Sequence, residues 1–163
     1  MMKSLSLYLI ICVSVVTLAT SCRQTKLLEL GANPFITHMY TADPSAHVWP
    51  DGRLYVYASH DIYPPKGCDL MDKYHVFSTD DMKNWKDHGE IVNSDMVKWG
   101  RPEGGWMWAP DCAYRNGKYY FYFPHPSETY VSSSWKIGVA VSNYPDRGFT
   151  VLDQPIPGMG GWD

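Results

Sequence analysis

The chain has 163 residues, 45% hydrophobic, 15% aromatic and 19% charged, with a formal net charge of -3. High aromatic content and low charge exclude a disordered chain, and an acidic balance without a basic run excludes nucleic acid as the main partner. Its 13 glycines and 12 prolines are scattered as punctuation, with no low-complexity or collagen-like period.

At the N-terminus, Lys3 supplies a positive charge and Leu5 to Leu18 form an apolar run of about fourteen residues. That run is too short for a membrane span. It ends in Leu18-Ala19-Thr20-Ser21-Cys22, small residues immediately before a cysteine. The pattern resembles a bacterial lipobox, with Ala19 where Leu is more usual; a plain secretory leader ending beside a cysteine is the simpler alternative. The expectation is a lipoprotein-type leader over 1–21, lipidation at Cys22 and a linker over 22–32. The protein is then exported, periplasmic or at the cell surface, and meets the membrane only through its lipid. Cys12 leaves with the leader. Cys68 and Cys112 remain, either as a disulfide or as two separately buried thiols. No Cys/His spacing suits zinc, and no metal ligand is assigned.

Beyond the linker the sequence reads as β-structure. Arg53-Leu-Tyr-Val-Tyr-Ala-Ser59 and Lys118-Tyr-Tyr-Phe-Tyr-Phe123 are β-branched or aromatic runs. Each follows a turn dipeptide, Asp51-Gly52 or Asn116-Gly117, a strong local hairpin signal. No window of ten residues outside the leader has a helical period. The two hairpins are copies of one unit. Asp43 to Gly52 lies over Trp108 to Gly117 at an offset of 65, and His75 to Trp85 lies over Val139 to Phe149 at an offset of 64. Each copy contains four strands, and repetition at this spacing predicts an all-β fold of four-stranded antiparallel blades, a β-propeller. On this alignment Asp43 and Trp108 open equivalent inner strands and point toward one shared pocket.

Several segments carry a family resemblance. Ala42-Asp43-Pro44-Ser45, Trp108-Ala109-Pro110-Asp111, Asn33-Pro-Phe-Ile36, Tyr74-His-Val-Phe-Ser-Thr-Asp-Asp-Met-Lys-Asn-Trp85 and Ile137-Gly-Val-Ala-Val-Ser142 together resemble glycoside hydrolase family 43. The likeness runs over 33–163. It implies the N-terminal part of a five-bladed propeller of inverting arabinofuranosidase or β-xylosidase type, acting on pentose-containing plant-type oligo- or polysaccharides. It assigns Asp43 as the general base. Trp108 is a candidate sugar platform or a packing residue between blades, and Asp111 either accepts sugar hydroxyls or caps its own strand. Trp106 and Tyr114 share the ambiguity of Trp108. His60 and Asp61, in a loop without diagnostic spacing, read as structural, and Thr79-Asp80-Asp81 reads as a solvated turn instead of a calcium loop.

Inverting hydrolysis needs a base and an acid roughly 6.5–9.5 Å apart, with room for water between the base and the sugar. In the family the acid is a Glu that opens a later blade, and a second Asp opens the third; Asp163 is left unassigned. Glu103 and Glu128 are acids by residue type only. Five blades of about 65 residues need on the order of 325, so the sequence supplies about two of five, an incomplete ring. No cofactor is expected in this stretch, no protein partner is inferred, and the resemblance implies a structural calcium whose His partner belongs to a late blade. The alternative is a non-catalytic, lipid-anchored glycan-binding propeller that uses the same aromatics. With a base but no acid, the 163-residue chain is expected to fold poorly alone and to be inactive. Hydrolysis of an aryl arabinofuranoside or xyloside by the purified chain would overturn this.

Overall fold

The computed structural model describes residues 33–62, 70–129 and 134–160. The leader, Cys22, the linker, Cys68 and Asp163 lie outside the described residues. Among the described residues, eight strands form two separate four-stranded antiparallel sheets in simple meander order. The first contains β1 (Tyr40–Val48), β2 (Leu54–Asp61), β3 (Lys73–Thr79) and β4 (Lys86–Asn93). The second contains β5 (Asp111–Arg115), β6 (Lys118–Pro126), β7 (Trp135–Ser142) and β8 (Thr150–Val151). A 3-10 turn, Ser94–Met96, follows the first sheet. These are the two blades that the repeat predicts.

Alternation along the strands decides how the sheets stack, because successive side chains leave opposite faces. From the first sheet Tyr55, Tyr57, Tyr74 and Val76 enter one buried cluster, and from the second Tyr119, Phe121, Phe123, Ala140 and Phe149 join it. The opposite face of the first sheet, Val56, Ala58 and Phe77, is covered by Phe35, Ile36, Met39 and Trp85. There Phe35 stacks on Trp85 at 3.8 Å between centroids. Gly138 is needed where β7 passes the cluster, since a Cβ there would lie 2.4 Å from the Phe123 ring. Cys112 is a free, buried thiol, and burial pushes its pKa up to about 12.

Strand pairing corrects the alignment of the two copies. Tyr57 and Tyr122, 65 apart, are equivalent in β2 and β6. Their inner-strand partners are Ser45 and Asp111, 66 apart, and their partners on the other side are Val76 and Val139, 63 apart. The inner slip arises in the turns. In the first hairpin Trp49 N–H bonds the Arg53 carbonyl around Pro50-Asp51-Gly52, whereas Arg115 pairs with Lys118 around Asn116-Gly117 alone. Both central residues of the shorter turn have positive φ, 52° and 79°, as a two-residue hairpin requires. Asp111 therefore matches Ser45, and Trp108 is not the counterpart of Asp43. A one-residue slip reverses faces, so the predicted equivalence fails at the position that mattered most.

A polar clasp also joins the sheets. Ser78 Oγ lies 2.7 Å from His88 Nε2, and His88 Nδ1 lies 2.9 Å from Asp146 in the β7–β8 connection. The tautomer with a proton on Nδ1 satisfies both contacts. These residue types in this order resemble a nucleophilic triad. Ser78, however, is wholly buried and accepts a hydrogen bond from Arg53 at 3.0 Å. No substrate reaches it, so the arrangement is structural. His125, also wholly buried, accepts the Arg101 N–H through Nε2 at 3.2 Å.

Burial lowers the pKa of both His88 and His125, the latter to about 4. The unfolded chain protonates these rings near pH 6.5, so it binds more protons than the folded chain below that pH. Stability is thus indifferent to these groups above about pH 6.5 and falls as pH is lowered toward 4. His125 alone accounts for roughly 3 kcal/mol of that loss. Urea denaturation of the complete protein at pH 7 and pH 4.5 measures the slope, which His125→Asn reduces; an unchanged slope in that variant contradicts the assignment.

Candidate functional site

The inner strand of the first sheet does not run straight. Ala42 pairs with Ser59 and Ser45 with Tyr57, which leaves Asp43 and Pro44 opposite the single residue Ala58. This is a β-bulge, a device that redirects a side chain out of the pleat. Asp43 occupies it with φ of 46°. That conformation is uncommon for a residue with a Cβ and runs against the extended bias of a residue before proline. Such strain costs about 1–3 kcal/mol and persists only where surrounding structure enforces it. The carboxylate is exposed, and among the described residues it has no hydrogen-bonding or ionic partner in the protein. The donors that base chemistry calls for are therefore not among these residues.

Asp111, at the start of β5, is held firmly. Its Oδ1 lies 2.7 Å from His47 Nε2 on β1 and accepts its neighbour Cys112 N–H at 2.8 Å. Partial burial alone raises the pKa of this carboxyl. The His47 and Cys112 donors outweigh that effect and bring it below the ordinary value. The strand-capping role is thus present. The side chain is also 65% exposed, so capping does not remove it from solvent. The His47 ring stacks on Trp49, 4.8 Å between centroids at 13°. Trp49 in turn donates to Tyr57 Oη at 3.0 Å. Ser45, His47 and Trp49 alternate along one side of the strand. Period-two spacing in the sequence is the signal for His47, which lies outside the segments that carry the family resemblance.

Trp108 precedes β5 in a loop anchored to the first sheet. Its carbonyl accepts Tyr74 Oη–H at 2.7 Å, and Met107 N–H bonds the Met71 carbonyl at 2.7 Å. Gly104, Gly105 and Trp106 all have positive φ, 65°, 73° and 60°. The tight path brings the Trp106 ring to 5.3 Å from Trp108, and Trp108 to 4.6 Å from Trp135. Trp108, Ala109, Pro124, Trp135 and Ile137 line an apolar cavity of about 490 Å³. Trp108 therefore packs against aromatic neighbours and also borders open space, and both readings of it retain a basis. Tyr114 instead packs on Tyr119 at 4.9 Å.

The other acidic and histidine candidates lie elsewhere. His60 faces Asp72 at 4.0 Å and the His75 ring at 5.7 Å, within the first sheet. Asp81 accepts the amides of Lys83 and Asn84 at 2.9 and 2.8 Å, which lowers its pKa and makes it a turn residue. Glu103 bonds Thr129 at 2.8 Å and faces Arg101 at 3.3 Å, fastening two loops together. For the calcium implied by the resemblance, no group of three or more His, Cys, Asp and Glu side chains among the described residues is arranged to hold a metal ion.

Residues 32–160 match the family described as "Glycosyl hydrolases family 43". Among curated proteins, the chain is 42% identical over 135 residues to xylosidase/arabinosidase 43A of Humicola insolens, covering 77% of this chain and 39% of that protein. It is 39% identical over 127 residues to a xylosidase/arabinosidase of Bacteroides ovatus, covering 73% and 37%. Among solved structures, a GH43_1 enzyme from Xanthomonas citri, complexed with xylotriose, aligns with a TM-score of 0.67 at 42% identity, covering 77% of this chain and 36% of that one. The chain spans about two-fifths of the length of the curated relatives it matches.

His47→Phe preserves a ring for the Trp49 stack and removes the donor to Asp111. The Asp111 carboxyl pKa should then rise toward its ordinary value, as read by carbon-13 NMR titration. An unmoved titration would show that His47 does not hold this carboxylate.

Proposed function

The chain belongs to glycosyl hydrolases family 43, and on that premise we propose that it carries the general base of an inverting hydrolase of pentose-containing glycans. The substrate class is arabinofuranosyl- or xylosyl-bearing plant-type oligo- or polysaccharide. The observation that carries this reading is Asp43 itself, an exposed carboxylate on a bulge in a strained left-handed conformation. Folding alone gives no reason to place a strained aspartate there, whereas a base needs its carboxylate turned out of the ladder toward water and sugar.

In the proposed reaction the Asp43 carboxylate removes a proton from a water molecule. The oxygen of that water attacks the anomeric carbon from the face opposite the leaving group, and a carboxylic acid beyond that group protonates the departing oxygen. The indole of Trp108 offers a flat apolar surface to a sugar ring, and Asp111, fixed on one oxygen by His47 and Cys112, accepts a sugar hydroxyl. Sugar binding and proton removal then rest on different inner strands. Export through the 1–21 leader and anchoring through Cys22 belong to the same proposal, since a polymeric substrate is met outside the cell.

Asp43→Asn, made in the complete protein, tests the assignment. It removes the basic oxygen with little change in size, so turnover of 4-nitrophenyl β-xyloside or arabinofuranoside should fall by about two to four orders of magnitude, while xylotriose binding measured by calorimetry persists. Near-normal turnover would remove Asp43 from its role.

A further inference from the structure

The two sheets supply an internal comparison, because equivalent positions in β2 and β6 are known from pairing. Ser59 in β2 pairs with Tyr74, and Pro124 in β6 pairs with Ile137. Tyr57 and Tyr122 fix the same 65-residue relation. Ser59 and Pro124 are therefore counterparts. Ser59 is wholly buried, and its hydroxyl donates to the Ala42 carbonyl at 2.9 Å. In the second sheet the corresponding proline has no hydroxyl, and the inner strand begins only at Asp111. In the first sheet the inner strand continues beyond its bulge, with Ala42, Thr41 and Tyr40 paired to Ser59, His60 and Asp61.

We infer that Ser59 is a positioning residue for Asp43: its buried hydroxyl fixes the Ala42–Asp43 peptide plane and thereby holds the aspartate in its left-handed conformation. The torsion φ of Asp43 is measured about its N–Cα bond, relative to the carbonyl carbon of Ala42. Fixing the Ala42 oxygen fixes one side of that torsion. On the other side Pro44 has no N–H and Asp43 lies outside the ladder, so regular pairing does not constrain the turn. The next ladder partner is Ser45, opposite Tyr57. A buried serine hydroxyl needs an acceptor, and this one takes the carbonyl at which the strand leaves its register. The sheet without a bulged aspartate lacks the serine.

The functional part of this inference rests on Asp43 being the base; the conformational part does not. In the complete protein, Ser59→Ala, Ser59→Thr and Ser59→Cys are to be compared with the wild type and with Asp43→Asn. Two readouts are independent: the Asp43 Cα and Cβ chemical shifts with the amide–Hα coupling, which report φ, and the kinetics of 4-nitrophenyl β-xyloside or arabinofuranoside hydrolysis. In Ser59→Ala the NMR parameters should leave left-handed values, and kcat should fall between about tenfold and a hundredfold with KM within about twofold. Ser59→Thr keeps the hydroxyl and should restore both readouts. Ser59→Cys, nearly isosteric and a weak donor, should fall between them and replaces the alanine variant if that one does not fold. Left-handed parameters that survive loss of the hydroxyl overturn the inference, as does unchanged kcat beside a displaced Asp43. If Asp43→Asn keeps its turnover, the base assignment fails, while the NMR comparison still decides what Ser59 holds.

Discussion

Tyr74 spans the joint between the two sheets, and the candidate site depends on that joint. Its ring lies edge-on to Phe121, 5.0 Å between centroids, and within 6.0 Å of Phe123. Its hydroxyl donates to the carbonyl of Trp108. Complete burial drives the phenol pKa far above its ordinary value, so the group stays protonated and remains a donor. Stacked sheets stand about 10 Å apart, and large rings fill that distance better than aliphatic side chains. Tyr55, Tyr57, Tyr74, Tyr119, Phe121, Phe123 and Phe149 are the rings that fill it. A polar tip on one of those rings converts an apolar contact into a fixed point for the loop that precedes β5.

Much of the fold was legible because its signals are local. Asp51-Gly52 and Asn116-Gly117 announce hairpins through the positive φ that their glycines adopt, 80° and 79°. The aromatic strands that follow them are marked by alternation. Register was not legible, because it is set by how many residues a turn leaves unpaired. Two turns that end in similar dipeptides close around three residues in one case and two in the other. Equivalence of Asp43 and Trp108 failed for that reason. Asp43 itself was found through its neighbours, but its strain was not, since a bulge follows from pairing that a sequence does not display. Ser59 carried no motif at all, and its role appears only when the carbonyl it meets is known.

The carboxylates show how local environment sorts one residue type into different tasks. Asp81 is consumed by turn amides, and Asp146 by the clasp through His88. Asp111 gives one oxygen to His47 and Cys112 and keeps its side chain in solvent. Asp43 is committed to none of these. Carboxylates that build the fold are those with donors, whereas Asp43 stands apart from them. The Ser78–His88–Asp146 arrangement makes the complementary point. Residue types and distances suited to nucleophilic attack serve only as cross-linking when the hydroxyl is sealed from solvent.

The unequal hairpins bear on how a duplicated unit acquires distinct tasks. In each sheet the inner strand is an edge, hydrogen-bonded to one neighbour alone. Adding or deleting one turn residue therefore shifts a single ladder and leaves the other three strands of the blade in place. Gene duplication produces identical blades, and identical blades present identical rims. A length change at the hairpin, on the side away from the rim, is enough to give sister blades different chemistry there without rebuilding either core. Insertions and deletions in these turns, more than substitutions at the rim, are then a route by which a tandem array diversifies.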